Sequence, residues 1–312
     1  MVKASTQYKR AHKADYGRER LEVLFEDQWL IVVNKASGML SVPYPGSRAR
    51  TALEVLEQLL RHRGTLSRQR HPCAVHRLDR DTSGVMLFAL TETAQQKIMD
   101  TWHTMVTERL YRAVAENPRD KRRTLADSGL IDAPLAFNAH TMGYVPRANE
   151  RVQTVTARTN YRVLARGITH TLFELSLDTG RKNQIRAHLA ANGYPLAGDE
   201  NYRAATDPFH RLALHARTLA FTHPFTGAAL RFEVPEPADW LPYVQRGDSA
   251  PEPPVWKIPQ HRHDKKTRTS AKHGNEYSRR QNATDAVALG DRRMSRKEEA
   301  HLNYIERGKR RR

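Results

Sequence analysis

The sequence predicts an α+β fold, a mixed and largely antiparallel sheet flanked by helices. Three observations predict it. Apolar segments of strand length recur along the chain, bounded by Gly, Pro, Asn and Asp. Helical spacing intervenes only at irregular intervals, so strand and helix do not alternate as a parallel sheet requires. Paired strand-like segments meet at short turns, Asp27-Gln28, a turn near Gly167, and Pro224-Phe225-Thr226-Gly227, as antiparallel neighbours do. No internal repeat is visible.

The elements follow in order. Leu21 to Glu26 and Trp29 to Val33 read as two strands, with Ser37-Gly38 turning the chain afterwards. Thr51 and Glu54 form a capping box that opens a helix with Leu53, Leu56 and Leu60 on one face, ending by Gly64. Arg61, Arg63, Arg68 and Arg70 form a basic run suited to phosphate contact. The unbroken apolar segment Val85 to Leu90 reads as a buried strand. A second capping box is expected at Thr93 and Gln96, on a helix that packs Ile98, Met99, Trp102 and Met105 into the core. Leu110 to Ala115 is the next strand, with Tyr111 near its start. Residues 117–150 lack periodicity and are expected to cross the surface as a long irregular loop. Thr154 to Leu164 and Thr169 to Leu177 alternate as a strand pair. A helix carrying Arg186 follows, with Gly193 and Pro195 as stop signals. Its Ile185 and Leu189 share a packed face, so Gln184, Arg186 and His188 are expected to point away from the core. His215 to Phe221 and Leu230 to Val234 close the fold, and Pro235 and Pro237 end the ordered pattern.

Composition sets the partners. The chain has 312 residues and a formal charge of +18, an excess that suits a polyanion, nucleic acid before anionic membrane. Its single cysteine, Cys73, excludes an internal disulfide framework and fits a reducing compartment. The basic N-terminus lacks the apolar core of a secretory signal, and no run reaches the roughly 18 apolar residues of a membrane helix. A cytoplasmic monomer without membrane attachment is the expectation. Three regions are predicted: a basic arm over residues 1–19, a main domain over 20–245, and a basic tail over 246–312. From residue 251 onward about 17 Lys and Arg stand against about 8 acidic residues, with little apolar surface to offset ordering, so the tail is expected to be disordered.

One polar stretch stands out against this background. Val75 to Val85 carries His76, Arg77, Asp79, Arg80, Asp81, Thr82, Ser83 and Gly84 immediately before the buried strand. A buried strand holds its own start rigidly, so these groups are placed rather than free in solvent. Asp79 then sits on a turn between basic groups, and Arg186 at the start of a helix is a candidate partner for it.

His76-Arg77-Leu78-Asp79 with Thr82-Ser83-Gly84 resembles the signature of the RluA-type pseudouridine synthases. Further landmarks follow in the family's order, over about residues 20–236. They are Leu24 to Lys35, Leu110-Tyr111-Arg112-Ala113, Gly180-Arg181 to Arg186, Gly198-Asp199, Leu214-His215-Ala216, and His223-Pro224 with Gly227. Ordered landmarks are far more specific than a lone motif. The resemblance implies the same α+β architecture and isomerisation of specific uridines in structured RNA, ribosomal or transfer, to pseudouridine. No cofactor or metal is implied. The reaction breaks the bond from ribose to a base nitrogen and rejoins the base through carbon, so it needs a nucleophile or base beside the ribose and a site that keeps the freed uracil. By resemblance Asp79 is the catalytic aspartate, Tyr111 packs against the target base, Arg186 pairs with Asp79, and Arg77 fills the space left by a flipped-out nucleotide. Asp81 has no matching role and reads as a turn or salt-bridge residue.

The chain also departs from the family. Asn183 stands where members often have histidine, which removes a group able to titrate near neutrality. Lys35-Ala36-Ser37-Gly38 lacks the proline of the family's turn. No separate N-terminal RNA-binding domain is expected, and the basic tail is a candidate substitute. Rival readings are weaker. His71, Cys73 and His76 match no metal-ligand spacing, and Ser83 lacks a strained elbow motif for hydrolysis. The serious alternative is a non-catalytic RNA-binding or ribosome-assembly protein on the same fold, which charge alone supports equally.

Overall fold

The computed structural model describes residues 21–246 apart from 45 and 48. The N-terminal arm and the basic tail lie outside the described residues.

A ten-stranded sheet organises the fold, in the order β1-β2-β4-β11-β5-β10-β9-β6, with β3 beside β4 and β12 beside β11. Its strands are β1 (Glu22–Glu26), β2 (Leu30–Lys35), β3 (Cys73–Ala74), β4 (Ser83–Ala89), β5 (Val106–Glu116) and β6 (Ser128–Asp132). They continue as β9 (Arg158–Arg166), β10 (His170–Leu177), β11 (Leu214–Thr222) and β12 (Ala229–Glu233). A separate pair, β7 (Ala136–Phe137) and β8 (Gly143–Tyr144), lies off this sheet. The helices are α1 (Ala52–His62), α2 (Glu92–Met105), α3 (Gln184–Ala191) and α4 (Trp240–Gln245). Every strand pairing is antiparallel except β4 with β11, so the predicted class holds.

Alternation explains how the sheet takes helices on both faces. Ile31, Val33, Met86 and Phe88 pack with Ala52, Leu56 and Leu60 of α1. The intervening Leu30, Val32, Val85, Leu87 and Ala89 pack with Ala94, Ile98 and Met105 of α2. Strand β4 is therefore buried along its whole length, and that is why its sequence is continuously apolar. On the other half of the sheet Ala113, Phe173 and Leu175 pack with Ile185 and Leu189 of α3, while Val114 and Leu172 meet Trp240 and Val244 of α4. Tyr111 touches both the α1 and the α3 cores. The seam between those two cores is where the functional groups collect.

Several sequence expectations need correction. The second cap is Thr91, which accepts from the Ala94 N–H at 3.0 Å, two residues earlier than the expected box. Met99 is exposed rather than in the core. The segment over 117–150 is not wholly irregular, since β6 extends the main sheet beside β9 and β7 pairs with β8. Order also continues past Pro237 into α4, whose Trp240 is fully buried. The helix carrying Arg186 is not amphipathic: Gln184, Arg186 and His188 are buried along with Ile185 and Leu189. Each has hydrogen-bond partners in the fold. His188 Nε2 donates to the Ala133 carbonyl at 2.9 Å, and its Nδ1 accepts from the Thr159 hydroxyl at 2.9 Å.

Candidate active site

Asp79 sits on the turn that enters β4, closed by the Thr82 N–H donating to the Asp79 carbonyl at 3.1 Å. The backbone of this turn is held by the loop after β2. Lys35 is fully buried, and its ammonium donates to the carbonyls of Met39 at 2.7 Å, Ala36 at 2.9 Å and Arg80 at 3.0 Å. Ser37 donates to the Asp81 carbonyl at 2.7 Å, and Ser41 donates to the Leu78 carbonyl at 2.7 Å while accepting from its N–H at 3.1 Å. Burial pushes the Lys35 ammonium down to about 7 against the opposing charge of Asp81. Asp81 faces Arg80 at 3.2 Å, the salt-bridge role expected of it.

The Asp79 side chain faces the start of α3. Its Oδ2 accepts from Asn183 Nδ2 at 2.7 Å and lies 3.3 Å from Arg186 Nη1. The predicted meeting of Asp79 and Arg186 across the fold is therefore present. The arginine's stronger partner is Asp199, however, which it grips with two bonds, Nε to Oδ2 at 2.7 Å and Nη2 to Oδ1 at 2.8 Å. The Tyr202 ring lies 5.0 Å from the same guanidinium. Burial works to lower the pKa of Arg186, but its bonds to Asp199 and the charges of Asp199 and Asp79 outweigh it and raise it. The result is a permanent, oriented cation beside Asp79.

Around this pair opens a cleft of about 450 Å³ including the solvent at its mouth. Leu78, Leu177, Ile185, Leu214 and Tyr111 line it on the apolar side. Arg77, Arg109 and Arg181 line it as well, with Thr82, Asn183 and Gln184. Arg77 is exposed and makes no hydrogen bond or ion pair with the described residues. Arg109 reaches the cleft from β5, two residues before Tyr111 and hence on the same strand face. All four predicted site residues, Arg77, Asp79, Tyr111 and Arg186, thus share one cleft. Sequence reasoning missed Asp199, Tyr202, Arg109 and the holding role of Lys35. The legible signals among them were a lysine closing the apolar run of β2 and the Gly198-Asp199 landmark, to which no role had been given.

Other candidates resolve differently. Ser83 is buried and lies in a chain of bonds: His215 Nε2 faces the Val234 carbonyl at 2.9 Å, so its Nδ1 is the acceptor for Ser83 Oγ at 2.7 Å, while Arg211 donates to that oxygen at 2.6 Å. A serine so engaged ties β4 to β11 and presents no nucleophile. Among the described residues no group of His, Cys, Asp and Glu gathers with the geometry of a metal site. Of the basic run before the site, Arg63 and Arg70 are paired with Glu26 at 2.7 and 2.8 Å, while Arg61 and Arg68 are exposed and make no ion pair among the described residues. No described helix is long and apolar enough to cross a membrane.

The family pattern for RNA pseudouridylate synthase matches residues 29–191, a span that holds Asp79, Tyr111 and Arg186. The chain belongs to the RNA pseudouridine synthases. It is 35% identical over 258 residues to the ribosomal large subunit pseudouridine synthase D of Nitrosomonas europaea, covering 78% of this chain and 70% of that one. It is 34% identical over 231 residues to the uncharacterized RNA pseudouridine synthase YlyB of Bacillus subtilis, covering 72% of each. The solved structure of human RNA pseudouridylate synthase domain containing 4 superposes with a TM-score of 0.54 at 22% identity, over 75% of this chain and 94% of that one. At that identity the likeness speaks for the fold. This pseudouridine synthase is thus an isomerase acting on uridine in RNA.

Proposed function

We propose that the enzyme isomerises a uridine of large-subunit ribosomal RNA, with the nucleotide everted into the cleft and Asp79 as the catalytic residue. The observation that carries this is a carboxylate anchored on one oxygen by Asn183 and Arg186, in a cleft where Arg77, Arg109, Arg181 and Arg186 also gather. Phosphate binding alone has no use for an anion there, whereas a carboxylate beside a ribose supplies the attacking oxygen or the base that begins glycosidic cleavage. Tyr111 offers a flat ring to the base, and Arg186 steadies the carboxylate. Arg77, unpaired with any described residue at the mouth, is suited to occupy the stack that the nucleotide leaves. The ribosomal substrate is supported by the name of the Nitrosomonas europaea relative.

On the same reading residues 20–245 form the catalytic domain, while the basic segments 1–19 and 246–312 add salt-sensitive contacts to RNA. The chain works as a monomer in the cytoplasm, a compartment that its single cysteine fits.

The test uses RNA carrying tritium at uracil C5, because that hydrogen leaves when C5 bonds to ribose. The wild type is expected to release tritium, and Asp79→Asn to bind the RNA equally while releasing none. If both bind and neither converts uridine, the protein is a non-catalytic RNA binder.

A further inference from the structure

We infer that Asn183 is the positioning residue of this site: its side-chain amide pins Oδ2 of Asp79 and thereby dedicates Oδ1 to the substrate. The inference rests on the reading of Asp79 as the catalytic residue.

Three observations carry it. First, the hydrogen bond from Asn183 Nδ2 to Oδ2, at 2.7 Å, is the closest hold on the carboxylate, while Arg186 Nη1 stands off at 3.3 Å. The arginine cannot close that gap while Asp199 fixes it in two places, so it supplies charge and the amide supplies direction. Second, both donors fall on Oδ2, and Oδ1 accepts no hydrogen bond from the described residues. An oxygen without a donor keeps its lone pairs for chemistry, and the carboxylate's rotation is stopped by the other one. Third, Asn183 adopts a left-handed backbone, φ 57° and ψ 20°, at the residue before α3. Asparagine tolerates this conformation better than most residues, but its side chain makes no capping bond to the helix here. The unusual backbone is accounted for by where it aims the amide.

A purely conformational role and a positioning role predict opposite rankings. Glycine accepts the left-handed backbone more readily than asparagine, so Asn183→Gly keeps the fold and deletes only the donor. Asn183→Asp keeps the shape and replaces the donor with an acceptor facing Oδ2. Single-turnover conversion is expected to fall about ten- to hundredfold in Asn183→Gly, the usual effect of losing a bond to a charged group, with RNA affinity and Tm unchanged. Asn183→Asp is expected to fall further still. Full activity in Asn183→Gly, or Asn183→Asp more active than Asn183→Gly, overturns the inference. Asp79→Asn run alongside separates the two claims: if it retains activity the catalytic assignment fails, and if it is inactive while Asn183→Gly is fully active only the positioning role fails.

Discussion

Replacing Asp199 by asparagine tests how the cation beside Asp79 is held. Asp199 is almost wholly buried, its side chain 1% exposed, and it meets the Arg186 guanidinium with both oxygens. An amide of the same shape offers one acceptor and turns an N–H toward the other donor. It still accepts from the Tyr202 N–H, which lies 3.4 Å from Oδ1, so the local turn is kept. Removing one partner of a buried ion pair costs about 3–5 kcal/mol because the other charge is left without compensation. Asp79 remains 3.3 Å from Nη1 and balances part of that charge, so the lower end applies. About 3 kcal/mol corresponds to a Tm lowered by about 6–12 °C in a domain of this size. Freed from Asp199, the guanidinium can turn and engage both oxygens of Asp79, occupying Oδ1. The turnover number is therefore expected to fall about tenfold or more with little change in KM for RNA. Thermal unfolding by calorimetry and single-turnover tritium release read the two effects separately. A Tm within about 2 °C of the wild type, or an unchanged turnover number, would refute the argument that Asp199 fixes the arginine.

Two further outcomes follow from buried groups away from the carboxylate. Ser83→Ala leaves the buried His215 Nδ1 without its donor and removes the bond from Arg211 to Oγ, so stability is expected to drop by about 1–3 kcal/mol while pseudouridine formation persists; loss of chemistry with unchanged stability would return Ser83 to the list of reacting groups. Burial, aided at His76 by the charge of Arg109, holds His76 at about 3, and burial holds His170 and His215 at about 4, all below the ordinary 6.5. A histidine depressed on folding contributes stability that is complete above its unfolded pKa and is lost as pH falls through the interval down to its folded one. Unfolding free energy is thus expected to decline between pH 6.5 and 4, and His170→Gln to decline less over the same interval; parallel denaturation curves for the two proteins across that range would contradict the assignment.

How much of this was legible in the sequence depends on the range of the interaction. The strands were visible because β4 is covered on both faces and β9 alternates, patterns that survive in one dimension. The α1 cap was visible because Thr51 and Glu54 satisfy each other within three residues. The α2 cap was misplaced because Thr91 and Thr93 are both acceptable caps, and only packing chooses between them. The α3 face was misjudged for a related reason. Buried Gln184, Arg186 and His188 look like solvent-facing residues until Thr159 and Asp199 arrive from elsewhere in the chain to pair with them. Asp79 and Arg186 were found through the ordered motifs. The amide of Asn183 was noticed as a departure and not as a contact, since a left-handed backbone leaves no mark in the sequence.

The site depends on registry between two halves of one sheet, which is why its support lies in backbone contacts rather than in more catalytic groups. Asp79 is carried by β4 and Arg186 by the helix after β10, and β11 with β5 lies between them. Strand β11 meets β4 only at His215 with Ser83 and Ala216 with Gly84, after which its partner on that side is β12. So short a parallel pairing is weak in itself, and it is reinforced in two ways. Gly84, at φ 111°, brings the backbones so close that a Cβ would lie 2.1 Å from the Ala216 carbonyl oxygen. The Ser83–His215 bond then locks the same step laterally. On the other side of the turn Lys35, Ser37 and Ser41 fix the carbonyls of residues 78, 80 and 81. A shift of this turn by even an ångström would carry Oδ2 out of reach of Asn183, and that degree of misplacement is enough to cost about a hundredfold in rate. Small and polar residues are therefore required around Asp79 for the same reason that a carboxylate is required at it.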